Sequence, residues 1–228
     1  MAVPLIILGV SGNAYDILDI VDAINAECDT WQPTGFLDDS RPPGSKHIGL
    51  PVLGKLTDAA RFEGHWFINA IGNDSSYQLR PSVIAATGLL VGRFATLVHP
   101  TAGVSSRAKL GRGVYVNHGV SVAGSAVIGD HASLGPRCIV GHDTVVGDYA
   151  ILAPGAVISG SVRLESTCYI GAAAMVRQKI RIGAGALVGI GAVVISDIDE
   201  GATVVGNPAR VLPAKPHANG IPKPKVSN

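Results

Sequence analysis

From Val140 to Ile158 the chain reads VGHDTVVGDYAILAPGAVI, with an aliphatic residue at every sixth position: Val140, Val146, Leu152 and Ile158. The spacing extends outward in both directions without a miss. It runs back through Leu134, Ile128, Val122, Val116, Leu110 and Val104 to Val98, and forward through Leu164, Ile170, Val176, Ile182 and Val188 to Val194. Four residues after each comes a second, mostly small position, as at Ala102, Ala108, Ala126, Ala132, Cys138, Ala150, Ala156 and Ala192. Gly is frequent directly after the aliphatic residue, as at Gly111, Gly129, Gly135, Gly141, Gly147, Gly171, Gly183 and Gly189. A period of six fits neither a helix nor an alternating strand, but it fits a β-solenoid in which each hexad makes one short strand and one tight turn. One large and one small inward residue per hexad fill a narrow interior, and the glycines are expected to supply the turn conformation. Three hexads per coil give a triangular prism in which residues 18 apart stack on one face, about 4.8 Å apart.

The array occupies about 97–198 of 228 residues, and the remainder suffices for a second domain. A formal net charge of +1 with no basic stripe argues against a nucleic-acid partner. The three cysteines, Cys28, Cys138 and Cys168, form no CxxC pair; Cys138 and Cys168 occupy small inward positions and read as core filling rather than metal ligands or a disulfide. The apolar start Val3 to Val10 lacks a basic flank and is too short to span a bilayer, so it reads as a strand, with no membrane insertion and a cytoplasmic location as the expectation.

Ahead of the array, residues 1–95 read as an α/β, Rossmann-like domain. Val3 to Leu8 is a strand, Gly9-Val10-Ser11-Gly12 a turn, and the following helix has Ile17, Ile20, Val21 and Ile24 on its apolar face. Glycines at such a turn let backbone N–H groups at a helix N-terminus approach phosphate, although Gly9-x-x-Gly12 falls short of the full dinucleotide fingerprint and also suits an ordinary turn. A second strand, Trp31 to Leu37, ends at Asp38-Asp39, and a third, Trp66 to Ile71, ends at Gly72-Asn73-Asp74. A helix distorted by Pro81 is expected over 75–87. Gly9, Ser11, Gly12, Asn13, Asp38, Asp39 and Asn73 thus gather at one edge of a parallel sheet, where α/β domains bind ligands. The β-helix with its cap is expected over 96–212, and the Pro- and Lys-rich tail 213–228 is expected to be flexible or draped on a neighbour.

Among titratable residues of the array, His142 stacks at 18-residue steps with Ser106, Gly124, Gly160 and Gln178. With glycine directly above and below, a hollow surrounds the imidazole. A histidine can act as a general base near neutral pH, and Asp143 could orient its ring. An exposed turn histidine beside a solvated aspartate accounts for the spacing at least as well. His118 and His131 read as surface residues, and Arg112, Asp130 and Asp148 as an exposed charge ladder worth little. The histidine spacings do not suit a zinc site shared between subunits, so no metal is expected.

The array resembles the left-handed β-helix of hexapeptide acyltransferases. Together with Gly9-Val10-Ser11-Gly12, Gly35-Phe36-Leu37-Asp38-Asp39, Pro51-Val52-Leu53-Gly54, Ala70-Ile71-Gly72-Asn73 and Val98-His99-Pro100, it is similar to the sialic-acid O-acetyltransferase and bacillosamine N-acetyltransferase (NeuD/PglD-like) family. That resemblance implies a homotrimer binding acetyl-CoA between neighbouring β-helices, with a sugar or nucleotide-sugar acceptor held partly by the N-terminal domain. It places the family histidine on His142, its acidic neighbour on Asp143, a thioester-polarising N–H on Gly160, and the CoA arm beside Gly155, Gly189 and Ile190. Three positions depart from the family pattern. Gly12-Asn13-Ala14 replaces Gly-His-Gly, Gly135-Pro136-Arg137 replaces Asn-Thr-Gly/Ser, and Ile151 replaces a second histidine, so the acceptor pocket reads as altered and the donor side as kept. The expected activity is N-acetylation of a nucleotide-linked amino sugar. Sugar O-acetylation by the same machinery and a non-catalytic sugar-nucleotide-binding trimer are the alternatives.

Overall fold

The computed structural model describes residues 2–213; the tail from 214 onward lies outside them. The N-terminal unit is built on a sheet whose strands are β1 (Val3–Leu8), β2 (Trp31–Leu37), β3 (Lys46–His47), β4 (Leu50–Gly54) and β5 (Trp66–Asn69), in the order β3-β4-β2-β1-β5. The β1–β2, β1–β5 and β2–β4 pairs are parallel, and β3–β4 is a short antiparallel hairpin. Helix α1 (Asn13–Glu27) presses Ala14, Ile17, Ile20 and Val21 onto the sheet, all fully buried. Two expected boundaries move. The last strand stops at Asn69 because its side-chain Oδ1 takes the Ile71 N–H at 2.9 Å, which turns the chain. The segment after it is a 3-10 turn (Tyr77–Leu79) running into α2 (Arg80–Ala86), and Pro81 opens that helix rather than distorting it, as its fixed φ and missing N–H allow in a first turn.

From Leu97 the chain winds into a left-handed β-helix of two-residue strands on three parallel faces. The first face begins with Leu97–Val98, the second with Gly103–Val104 and the third with Lys109–Leu110. Pairing follows the 18-residue step: Val122 lies between Val104 and Val140, Ile128 between Leu110 and Val146, and Leu134 between Val116 and Leu152. The large inward residues from Val116 to Val194 are at most 2% exposed, so burying each contributes roughly 1.5–3 kcal/mol. The step shortens after Val194. Ile182 pairs with Ile198, and Leu187–Val188 with Thr203–Val204, each two residues early, before Arg210–Val211 folds back antiparallel on Val204–Val205.

The glycines after the aliphatic residues serve a different purpose from the one expected. They do not adopt positive φ. The left-handed position lies two residues later, and mostly non-glycine residues hold it: Ser125, His131, Arg137, Asp143, Tyr149, Ser161, Thr167, Ala173 and Lys179 all have φ between 54° and 63°. What the glycines provide is room for the next coil. A Cβ at Gly171 would lie 2.7 Å from the Gly189 carbonyl carbon and the Ile190 nitrogen, closer than any real contact. Gly171→Ala is therefore expected to destabilise by about 1–3 kcal/mol as an overpacked site does. Ala173→Gly, which relieves a left-handed alanine worth roughly 1 kcal/mol of strain, is expected to be neutral or stabilising. Urea denaturation of both variants checks this, and equal losses would refute the assignment.

Candidate active site

His142 sits on the corner between the second face, at Ile139–Val140, and the third face, at Val145–Val146. The turn is set by Asp143 in the left-handed region (φ 58°) and by buried Thr144, whose hydroxyl donates to the Ser159 carbonyl at 2.9 Å. His142 Nδ1 lies 2.7 Å from Asp143 Oδ2, with both side chains exposed. Donation from Nδ1–H to the carboxylate leaves the Nε2 lone pair free, which is the tautomer a general base needs. Nε2 lies over Gly160: a Cβ there would be 2.6 Å from it and would push the imidazole out of this position. The Gly160 N–H donates to no backbone carbonyl among the described residues. The hollow is one-sided, however. Above Gly124 the space belongs to Arg107, whose Nε would be 3.4 Å from a Cβ there, and the imidazole leans the other way.

Gly155, Gly189 and Ile190 lie on a different corner, between the first and second faces, the Gly155 N–H on the Pro136 carbonyl and the Gly189 N–H on that of Val204, both at 2.8 Å. Ile190 is 81% exposed. Within one chain the whole second face separates these residues from His142.

The residues expected to hold the acceptor do meet at one end of the α/β sheet. Ser11, Asp38 and Asp39 line a crevice of ≈ 370 Å³ with Val10, Ser40, Leu56 and Ile71, whereas Asn13 and Asn73 line a separate cavity of ≈ 120 Å³ shared with Ser133, Pro136 and Ile151 of the β-helix. Most of their side chains are committed to the loops themselves. Asp38 accepts the Val10 N–H at 3.0 Å and the Ser40 N–H at 2.8 Å, and Asp39 accepts the Leu56 N–H at 3.0 Å. Ser11 Oγ donates to the Ala70 carbonyl, Asn13 Nδ2 donates to the Ala70 and Gly72 carbonyls at 3.0 and 2.8 Å, and Asn73 Oδ1 receives the N–H groups of Ser75 and Ser76. Gly9, at φ 93°, packs against the Ile71 side chain. The backbone N–H groups of Ser11, Gly12 and Asn13 make no hydrogen bond among the described residues. They form a row of donors at the N-terminus of α1, a geometry suited to phosphate oxygens.

Two residues at the junction of the units escaped the sequence reading. Arg80 is fully buried, and burial holds its pKa below the ordinary arginine value. His131, expected on the surface, is 2% exposed because the α/β unit covers its corner. Its ring stacks on Tyr149 at 5.1 Å and meets the edge of Phe94 at 4.6 Å. Burial, helped by the nearby Arg80 charge, pushes its pKa down to about 4. The aspartates of the expected charge ladder bond to backbone instead, Asp130 to the Arg112 N–H and Asp148 to the Asp130 N–H. Cys138 and Cys168 are core residues whose thiols burial raises to about 11 and 12. Among the described residues no three His, Cys, Asp or Glu group to hold a metal ion, and no helix is long and apolar enough to cross a membrane.

The chain matches two family models: the bacterial transferase hexapeptide repeat over residues 125–160, and the PglD N-terminal domain over residues 4–80. Among solved structures, the acetyltransferase domain of PglB from Neisseria gonorrhoeae FA1090, in complex with acetyl coenzyme A, is 31% identical with a TM-score of 0.79 over 93% of this chain and 100% of that one. The chain belongs to the PglD/NeuD-like hexapeptide acetyltransferases. PerB from Caulobacter crescentus, in complex with CoA and GDP-perosamine, is 27% identical with a TM-score of 0.80 over 92% of this acetyltransferase and 97% of that chain. Histidine-to-asparagine and histidine-to-alanine mutants of that perosamine N-acetyltransferase hold the same two ligands. WeeI from Acinetobacter baumannii AYE is 27% identical with a TM-score of 0.78 over 91% and 99% of the two chains. No curated protein matches the acetyltransferase by sequence.

The buried His131 gives this acetyltransferase a pH-dependent stability. Its folded pKa of about 4 lies below the ordinary 6.5, so below pH 6.5 the unfolded chain binds a proton that the folded chain refuses. Stability contributed by the neutral ring is therefore present above pH 6.5 and is lost as pH falls toward 4. His131→Phe keeps an aromatic ring against Tyr149 and has no proton to take up. Its Tm is expected to fall less steeply than that of the wild type between pH 6.5 and 4; parallel curves would refute this.

Proposed function

We propose that this enzyme transfers the acetyl group of acetyl-CoA to the amino group of a nucleotide-linked amino sugar, with His142 as general base. The observation that carries the reading is the His142–Asp143 pair at 2.7 Å with Nε2 over Gly160. The neutral amine attacks the thioester carbonyl carbon while Nε2 takes its proton, and the Gly160 N–H stabilises the developing oxyanion. When the C–S bond breaks, the imidazolium returns the proton to the departing thiolate, leaving amide and free CoA. Asp143 holds the ring in the required tautomer. The N–H row of Ser11, Gly12 and Asn13 suits the diphosphate of the acceptor, whose base occupies the crevice beside Asp38 and Asp39. Gly155, Gly189 and Ile190 border the CoA arm.

These parts meet only across chains. The α/β unit rests on the first face, through Tyr115, Ser133 and its partners there, whereas His142 stands on the edge opposite that face. An acceptor held by one copy is thus presented to His142 of another. The second face, which joins the two corners, carries exposed Ile139 and Met175 in line with Val157 and Val193, an apolar seam for a homotrimer.

His142→Ala is expected to lose about 10²- to 10⁴-fold in kcat, tested with acetyl-CoA against GDP-perosamine and UDP- and dTDP-linked amino sugars. An unchanged rate on the turned-over acceptor would refute the base. A product stable in mild base identifies an amide; an ester would hydrolyse.

The split site yields a second expectation. Gly12→Asp places a carboxylate where a Cβ meets nothing within 4 Å, so it disables the phosphate row without a clash. Each variant is inactive alone, but co-expressed with His142→Ala it should restore about a quarter of the sites, the random share for a site built from two chains of a symmetric ring. No recovery in verified mixed assemblies would place the whole site within one chain.

A further inference from the structure

Arg80 is a large charged side chain with no exposed surface, and no carboxylate pairs with it among the described residues. Its Nη2 donates to the His131 carbonyl and, at 2.9 Å, to Ser133 Oγ, both in the β-helix. Its Nη1 donates at 3.3 Å to the Ile71 carbonyl, at the end of the α/β sheet. Nε has no partner. Gly72, in the left-handed half of φ space at 137°, packs on the same side chain: a Cβ there would lie 3.0 Å from both Cδ and Nη1 of Arg80. The clamped peptide carries further contacts. The Gly72 carbonyl receives Asn13 Nδ2 at 2.8 Å, and the Ala70 carbonyl receives both Asn13 Nδ2 and Ser11 Oγ. A continuous series therefore runs from coil residues His131 and Ser133 through Arg80 to the Ile71-Gly72 peptide, and on to the free N–H groups at the start of α1.

Stability alone does not account for this residue. Burying a guanidinium without a counter-charge costs several kcal/mol, and apolar replacements of buried ionic groups of similar volume are often neutral or stabilising. Methionine is likewise unbranched and flexible along its length. What methionine lacks is the fork of donors that grips one carbonyl on each unit, and so fixes the loop relative to the coils.

We propose that Arg80 is a positioning residue, a tether that fixes the acceptor-holding end of the α/β unit to the β-helix and so sets where the acceptor is presented. The functional consequence rests on the acceptor being held at that sheet end, as proposed above; the tether itself does not. Small displacements of a bound substrate are costly, about 10²-fold in rate for 1 Å. Loosening the tether should therefore appear in acceptor use and leave the donor side intact.

The experiment compares full-length wild type, Arg80→Met and Arg80→Lys by amide hydrogen exchange and by steady-state kinetics with acetyl-CoA and the nucleotide amino sugars named above. In Arg80→Met, exchange at the hydrogen-bonded amides of Gly9, Val10, Ala70, Ile71, Ser75 and Ser76 is expected to rise at least tenfold while the coils from 134 to 194 keep wild-type protection. The acceptor kcat/KM is expected to fall about 10- to 100-fold, with the acetyl-CoA KM unchanged and Arg80→Lys recovering part of the loss. Unchanged exchange at 70–76 would overturn the tether. A rise spread equally over the coils would reduce Arg80 to a general packing residue and also overturn it; if Arg80→Met does not fold, wild-type exchange at 70–76 in Arg80→Lys, which lacks the fork, would overturn it instead. If the wild type acetylates none of these sugars, the acceptor reading fails, while the exchange data still decide whether Arg80 holds the loop.

Discussion

The close vertical approach of one coil to the next is the constraint on which everything else depends. Each two-residue strand gives its N–H and C=O groups to the coils above and below, and where glycine follows the inward aliphatic residue, from Gly111 to Gly189, the next coil leaves no room for a Cβ. Satisfying the backbone this way fixes an 18-residue step, and the step determines what lies over what. It puts Gly160 over His142, with an N–H that meets no backbone carbonyl among the described residues. The proposed site thus takes its geometry from the same step that stacks the coils from Val98 to Val194.

Much of this was legible because the repeat makes each hexad an independent witness to the same arrangement. Stacking arithmetic over Val98 to Val194 identifies faces, register and the neighbours of His142 from residue numbers alone. The role of the intervening glycines was read wrongly: small size and left-handed freedom both favour glycine, and only the coordinates show that contact with the next coil is the operative demand. The tilt of His142 was hidden for a related reason. Arg107 reaches up over Gly124 from the coil below, and a side chain's reach is not encoded in the step.

Legibility fell where the α/β unit meets the prism. Arg80 contacts residues 51 and 53 positions away, and no periodicity announces such a pair. The same docking takes His131 out of water, turning an apparent surface residue into the stacked, proton-refusing centre of the junction. At the sheet edge, Asp38, Asn13 and Asn73 were recognisable as polar residues at strand and helix ends. A side chain that builds its own loop and one that meets a ligand occupy the same kinds of position, however, and here the carboxylates and amides build the loops. The division between regular and irregular parts also divides the proposed site, the base following from the repeat and the acceptor side from one particular docking.

The two-residue shortfall of the last coil bears on how the β-helix stops. A parallel stack has a bare row of strand groups at its terminus, and another coil, from any chain, would complete it. By arriving early and folding Arg210–Val211 back antiparallel on Val204–Val205, the chain covers the edge of its longest face with a strand of the wrong direction for further winding. Open edges of this kind invite end-to-end growth into fibres. A repeat that could be extended indefinitely is thus given a definite length by the change of direction between Val205 and Arg210.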